Sequence, residues 1–223
     1  MTVTDVNVVK SAIFERPDDA NKGTLGSLLC VCGSYGMAGA AVMSAKGALR
    51  TGIGLAKCAL PRSIYPIVAQ TILESVYYPL SENADGRISK VNVPFLVSES
   101  CKSSATLVGC GLGVCDDTLK IVFSLIENST TPLVLDADAL NCVAKQPEIL
   151  LRKKAPIIIT PHPGEMSRLT GLATPLVNAE RERVALDFAQ KYGVVTVLKG
   201  AGTVIASPNG KVLVNPTGNS GMA

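Results

Sequence analysis

The 223-residue chain is 47% apolar and 17% charged with a formal charge of +3, which places it among globular proteins of one large domain. So small a charge, with Arg152-Lys153-Lys154 as its densest basic cluster, excludes an electrostatic footprint for nucleic acid or an anionic membrane. No run approaches the ~20 apolar residues of a membrane span, the opening MTVTDVNVVKSAIFERPDD lacks an export pattern, and seven cysteines lying mostly in apolar runs fit a reducing cytoplasm.

Residues 27–32 (SLLCVC) form the first predicted strand. Cys30 and Cys32 share a face on it, but no second pair stands at zinc-ligand spacing, so apolar buried thiols are expected and no metal site. A glycine-rich turn leads into an alanine-rich helix at 40–50, and 54–60 (GLAKCAL) is a second strand. Continuous apolar runs at 106–109, 132–136, 156–160 and 194–198 are too short for independent helices and suit parallel strands covered on both faces. Helical patterns at 117–128, 138–144 and 179–192 alternate with them. Segments 203–207 and 211–214, joined by Pro208-Asn209-Gly210, read as an antiparallel hairpin. This alternation predicts an α/β sandwich around a mostly parallel sheet, and no linker divides the chain.

In open parallel sheets ligands bind beyond the carboxyl ends of strands, so the residues after each run carry most weight. Gly33, Gly36 and Gly39 precede a helix start whose free N–H groups can hold an anion; a plain strand-to-helix turn explains the spacing equally well. Gly109, Gly111 and Gly113 allow close backbone approach by a ligand, although Val114 stands where the dinucleotide fingerprint needs a small residue. Asp136 emerges from an apolar strand and requires partners, while capping accounts for Asp138 as well as a functional role does. His162, the single histidine, is held between two prolines at a strand end before a helix starting near Gly164. Lys199, Gly200, Ala201, Gly202 and Thr203 offer a charge, open backbone N–H groups and a hydroxyl suited to phosphates, or a plain turn.

Taken in order, the segments KGTLGSLLCVCGSYGMAGAAVMSAKGALRTGIGL (22–55), VGCGLG (108–113), LDADALN (135–141), TPHPGEMSRLTG (160–171), LKGAGT (198–203) and NPTGNSGMA (215–223) resemble the ADP-dependent NAD(P)H-hydrate dehydratase family. The resemblance implies a ribokinase-like three-layer α/β/α sandwich, as a single domain over 1–223. It implies repair of hydrated NADH or NADPH: ADP, or ATP, phosphorylates the ring hydroxyl with Mg2+ present, and loss of phosphate restores the reduced cofactor. Carried over by motif, Ala40, Gly113 and His162 contact the hydrated dinucleotide, and Lys199 to Thr203 hold the adenine nucleotide. Asp136 and Asp138 shape the site or meet a magnesium-bound water. Relatives of this kind are expected to be cytoplasmic homo-oligomers. The family pattern continues past NPTGNSGMA into a TGGSGD-type segment with the catalytic aspartate, so the resemblance places that residue beyond Ala223 and expects no turnover by the chain as given. A non-catalytic nucleotide-binding module and another ribokinase-like small-molecule kinase are the alternatives, and PHPGE and NPTGNSGMA weigh against the kinase.

Overall fold

The computed structural model describes residues 2–3, 10, 17–219 and 221; most of the first sixteen residues, and Ser220, Met222 and Ala223 of NPTGNSGMA, lie outside the described set. The strands are β1 (Thr2–Val3), β2 (Ser27–Val31), β3 (Leu55–Pro61), β4 (Val76–Leu80), β5 (Ala105–Val108), β6 (Leu133–Leu135), β7 (Ile157–Ile159), β8 (Val195–Leu198), β9 (Thr203–Ala206) and β10 (Val212–Asn215). All join one sheet in the order β1-β10-β9-β8-β7-β6-β5-β2-β3-β4. Among them β9 alone runs against the rest, because the predicted hairpin turns the chain back through Gly210 before β10.

Alternate residues of β2 show why these runs become interior parallel strands. Leu29 and Val31 are fully buried in one apolar cluster, whereas Cys30 is buried in a second on the opposite face. Over that second face lie α1 (Ala38–Arg50) and α2 (Tyr65–Thr71); Ala41 and Ala45, one helical turn apart, let α1 approach the strands closely. The first face carries α3 (Val93–Cys101), α4 (Asp116–Asn128), α5 (Asp138–Val143), α6 (Pro163–Thr170), α7 (Thr174–Ala179) and α8 (Arg181–Tyr192). In α4, Asp116 and Asp117 favour the helix start, and Ile121, Val122, Leu125 and Ile126 form the buried stripe. Helices on both faces make the three layers. On the α1–α2 side Val134, Ile158, Val197 and Ile205 remain half-buried, with no described helix over them.

The sequence pattern misses β4, whose VYYPL carries Pro79; proline is tolerated there because β4 is an edge strand. It also misses α2, α3 and α7, and its 179–192 helix begins in the structure at Arg181, after a break at Glu180. Among the described residues no helix is long and apolar enough to cross a membrane.

Candidate active site

Strand order reverses between β2 and β5, so the loops leaving their carboxyl ends diverge and open a crevice. Those loops are laced together: the Gly33 N–H donates to the Cys110 carbonyl at 2.8 Å, and the Ser34 hydroxyl to the Gly111 carbonyl at 2.8 Å. A Cβ on Gly111 would stand 2.7 Å from that of Ala40, so glycine here lets the start of α1 close onto the β5 loop.

The β6–α5 turn supplies Asp136 and Asp138. Between them Ala137 has φ 49° and ψ −115°, the one described non-glycine residue with positive φ. Such strain costs about 1–3 kcal/mol and persists where the surroundings over-determine it. Here Leu135, Ala139 and Leu140 are buried on either side, and burying one leucine contributes about 1.5–3 kcal/mol. The twist aims Asp136 and Asp138 at different partners. Asp138 Oδ2 accepts the Gly113 N–H at 2.8 Å, and its Oδ1 accepts from Asn141 at 3.3 Å, while Asn141 Oδ1 accepts Arg168 Nε at 2.9 Å. Arg168 lies on α6, the helix that His162 caps, so this relay couples the Gly113 loop to the His162 loop. Asn141→Ala should therefore cost about 1 kcal/mol of stability, with urea unfolding as the check; an unchanged midpoint would show the relay to be ornamental.

Asp136 turns the other way. Its Oδ1 accepts Lys199 Nζ at 2.7 Å and the Thr160 hydroxyl at 2.8 Å, and its Oδ2 lies 3.5 Å from the Cys110 thiol. Burial acts to raise the Asp136 pKa, but the bonds from Lys199 and Thr160 and the ammonium charge together hold it below the ordinary carboxylate value. Lys199 also stands 4.0 Å from Glu165 Oε2, and its N–H donates to the Pro161 carbonyl at 2.8 Å. His162 is the N-cap of α6: its Nδ1 accepts the N–H groups of Gly164 and Glu165, while buried Glu165 accepts the His162 N–H in return. With Nδ1 an acceptor, the neutral ring carries its proton on Nε2, which lies 3.5 Å from Glu165 Oε1.

Beyond Lys199 the β8–β9 turn needs glycine at Gly200, φ +146°, where a Cβ would crowd the Arg181 guanidinium. Arg181 Nη2 donates to the carbonyls of Leu198 and Lys199 at 2.8 and 3.1 Å; its Nε is buried with no hydrogen-bond partner among the described residues. A groove of about 630 Å³ runs beside this turn, lined by Ala201, Gly202, Val204 and Val214 and by the start of α8.

Thus Asp136, His162 and Lys199 converge on one cluster, and Ala40, Gly113 and Asp138 adjoin it across the crevice. Ala201 and Gly202 instead line the neighbouring groove, while the Thr203 hydroxyl donates to the Gly200 carbonyl within the turn at 3.0 Å. Sequence reasoning missed Glu165, Thr160, Cys110, Asn141 and Arg181 as site residues. A glutamate three residues after a helix-capping position signals Glu165; for Arg181 the local sequence holds no signal.

A mostly parallel sheet, layered on both faces and carrying its polar crevice where the strand order reverses, defines a three-layer α/β protein; a ribokinase-like superfamily protein of Enterococcus faecalis shares this fold at TM-score 0.82 and 20% identity, covering 99% of this chain and 73% of that one. A family model described as NAD(P)H-hydrate dehydratase matches residues 28–223. The chain belongs to the NAD(P)H-hydrate dehydratase family. It is 40% identical to the bifunctional NAD(P)H-hydrate repair enzyme Nnr of Thermofilum pendens over 93% of this chain, but spans only 40% of that relative's length. It is 31% identical to the ADP-dependent (S)-NAD(P)H-hydrate dehydratase of Bacillus subtilis, covering 96% of this chain and 72% of that one. A structure of the ADP/ATP-dependent NAD(P)H-hydrate dehydratase of Bacillus subtilis, crystallised with ATP and Mg2+, superposes at TM-score 0.81 with 30% identity, covering 98% of this chain and 73% of that chain.

Proposed function

We propose that the protein acts in ADP-dependent dehydration of hydrated NADH or NADPH, with the dinucleotide in the β2–β5 crevice and the adenine nucleotide along the Lys199–Thr203 turn. The observation that carries this reading is the Lys199–Asp136 pair, which sets one cation against the Cys110 loop of the crevice while the Lys199 carbonyl is held by Arg181 of the groove's lining. In the reaction a phosphoryl group leaves ADP for the ring hydroxyl, giving AMP, and phosphate is then expelled as the ring double bond reforms. Such a transfer depends on positioning and charge neutralisation more than on covalent help from the protein.

Each part then has a task. Lys199 neutralises phosphate charge at the boundary, and Asp136 with Thr160 holds its ammonium in place. Open N–H groups around Gly200 and Gly202 meet the nucleotide, and Arg181 holds the Leu198 and Lys199 carbonyls beside it. Ala40, Gly113 and His162 border the dinucleotide; Asp138 acts by fixing the Gly113 N–H, a shaping role. The residues do not fit a protein-built Mg2+ cage, since no group of three His, Cys, Asp or Glu among those described is placed to hold a metal ion and the oxygens of Asp136 and Asp138 are already engaged. The nucleotide's own phosphates are the fitting ligands for such an ion.

The test is Gly202→Val. A Cβ there has room, its nearest neighbour being Val214 at 3.8 Å, but φ is +68° and the branched side chain would cover the turn's backbone. Calorimetric titration should show ADP affinity falling about tenfold or more while affinity for hydrated NADH is kept. Equal losses of both would overturn the placement of the nucleotide.

A further inference from the structure

The dehydration chemistry leaves unused a group of thiols beneath the crevice. Cys30, Cys32 and Cys58 are buried under α1, and Cys110 packs on the same cluster from the loop above. Val31 is level with Val108 in the β2–β5 ladder, and the Gly33 N–H to Cys110 carbonyl bond of 2.8 Å keeps the two chains adjacent where Cys32 and Cys110 stand. That bond joins the peptide unit following Cys32 to the carbonyl of Cys110 itself, so it holds the two Cα atoms near the separation of about 4.4–6.8 Å that a disulfide accepts. Cys32 belongs to the apolar cluster under α1, and Cys110 packs against that same cluster.

Exposure orders the pair. Cys32 is 1% exposed, whereas Cys110 is partly open at the crevice floor. The other partly exposed thiols are engaged elsewhere, Cys115 with the Thr118 hydroxyl at 3.2 Å and Cys101 with the Asn128 carbonyl at 3.6 Å. Cys30 and Cys58 are also level with each other, but both are buried away from any reagent.

We propose that Cys110 and Cys32 form an oxidant-sensitive dithiol at the crevice floor, which a hydroperoxide converts to a disulfide. The Cys110 sulfur attacks the peroxide, forming an S–O bond as the O–O bond breaks, and the departing oxygen leaves as alcohol or water with the thiol proton. The Cys32 sulfur then attacks the sulfenic sulfur; an S–S bond forms, the S–O bond breaks, and the hydroxyl leaves as water with the Cys32 proton. The two thiols together lose two electrons and two protons, and the hydroperoxide is reduced. The product removes the thiol donor from Asp136 and ties the Gly109–Gly113 loop to the end of β2.

This inference goes beyond the dehydratase reading and does not rest on it, because its readout is a covalent linkage. The reduced protein is treated with hydrogen peroxide, its remaining thiols are blocked with N-ethylmaleimide, and unreduced peptides are mapped by mass. The expected result is a Cys32–Cys110 cross-link, lighter by two hydrogens, reversed by dithiothreitol. In Cys32→Ala the cross-link should be replaced by a dimedone adduct at Cys110. Blocked thiols at both Cys32 and Cys110 under conditions that oxidise Cys101 or Cys115 would overturn the proposal, as would a cross-link between any other pair. If Cys32→Ala does not fold, the map of the unaltered protein decides.

Discussion

Lys199→Met should weaken adenine-nucleotide binding about tenfold to a hundredfold and lower stability by about 1–3 kcal/mol. The stability figure lies below the range for a fully buried pair because the Lys199 side chain is 42% exposed. What remains after substitution is Asp136, 24% exposed at the side chain, and buried Glu165, both without their cation. The loss should depend on pH. Because the folded Asp136 pKa is depressed, its contribution is complete above the unfolded carboxylate value of about 3.9 and disappears as pH falls through the lower folded value. The difference between the two proteins in urea should therefore be largest at neutral pH and shrink in acid. A second substitution, Asp136→Asn, should recover part of the stability lost at neutral pH but not the nucleotide affinity. An equal stability loss at neutral and acid pH would refute the assignment of that loss to the pair.

Gly109→Ala should be the most damaging single methyl group in the site, costing more than about 3 kcal/mol. A Cβ there would collide with the Asp136 carbonyl and lie 2.8 Å from Ala139 Cβ and 2.9 Å from its nitrogen, with φ at +129°. Neither neighbour can yield cheaply: Ala139 is fully buried, and the Asp136 carbonyl sits in the strained turn. Gly171→Ala is the matched comparison, since φ is +75° but a Cβ would find nothing within 4 Å. It should cost only about 1 kcal/mol. Thermal melts of the two variants separate backbone conformation from collision, and similar melting temperatures would remove the collision argument.

The interior of the fold was legible because interior parallel strands need apolar residues on both faces, and SLLCVC, PLVLD and PIIIT leave few other options. The edge was not legible: β4 has one side unpaired and its residues partly exposed, so VYYPL carries no such constraint. The end of the 179–192 helix could be read, but its break at Glu180 is a backbone turn that helix-compatible residues conceal. In the site, Asp136 announced that it needed a partner, yet Lys199 lies 63 residues away and Thr160 24 residues away. Apolar periodicity says which strands exist and is silent on their order. His162 shows the converse, since its place at a strand end suggested chemistry while its Nδ1 is committed to capping α6.

The reversal of strand order also sets a timetable for synthesis. β2, β3 and β4 are neighbours both in sequence and in the sheet, so they can pair as they emerge. β5 must then come back to the far side of β2, pairing Leu28 with Ala105 and Val31 with Val108 across 77 residues. Until it arrives, the flank of β2 that ends in the crevice is an open edge, able to pair with any other chain. The surface that later receives a ligand is thus, on the ribosome, the last part of the early half to be sheltered, and the one on which a newborn chain most needs protection.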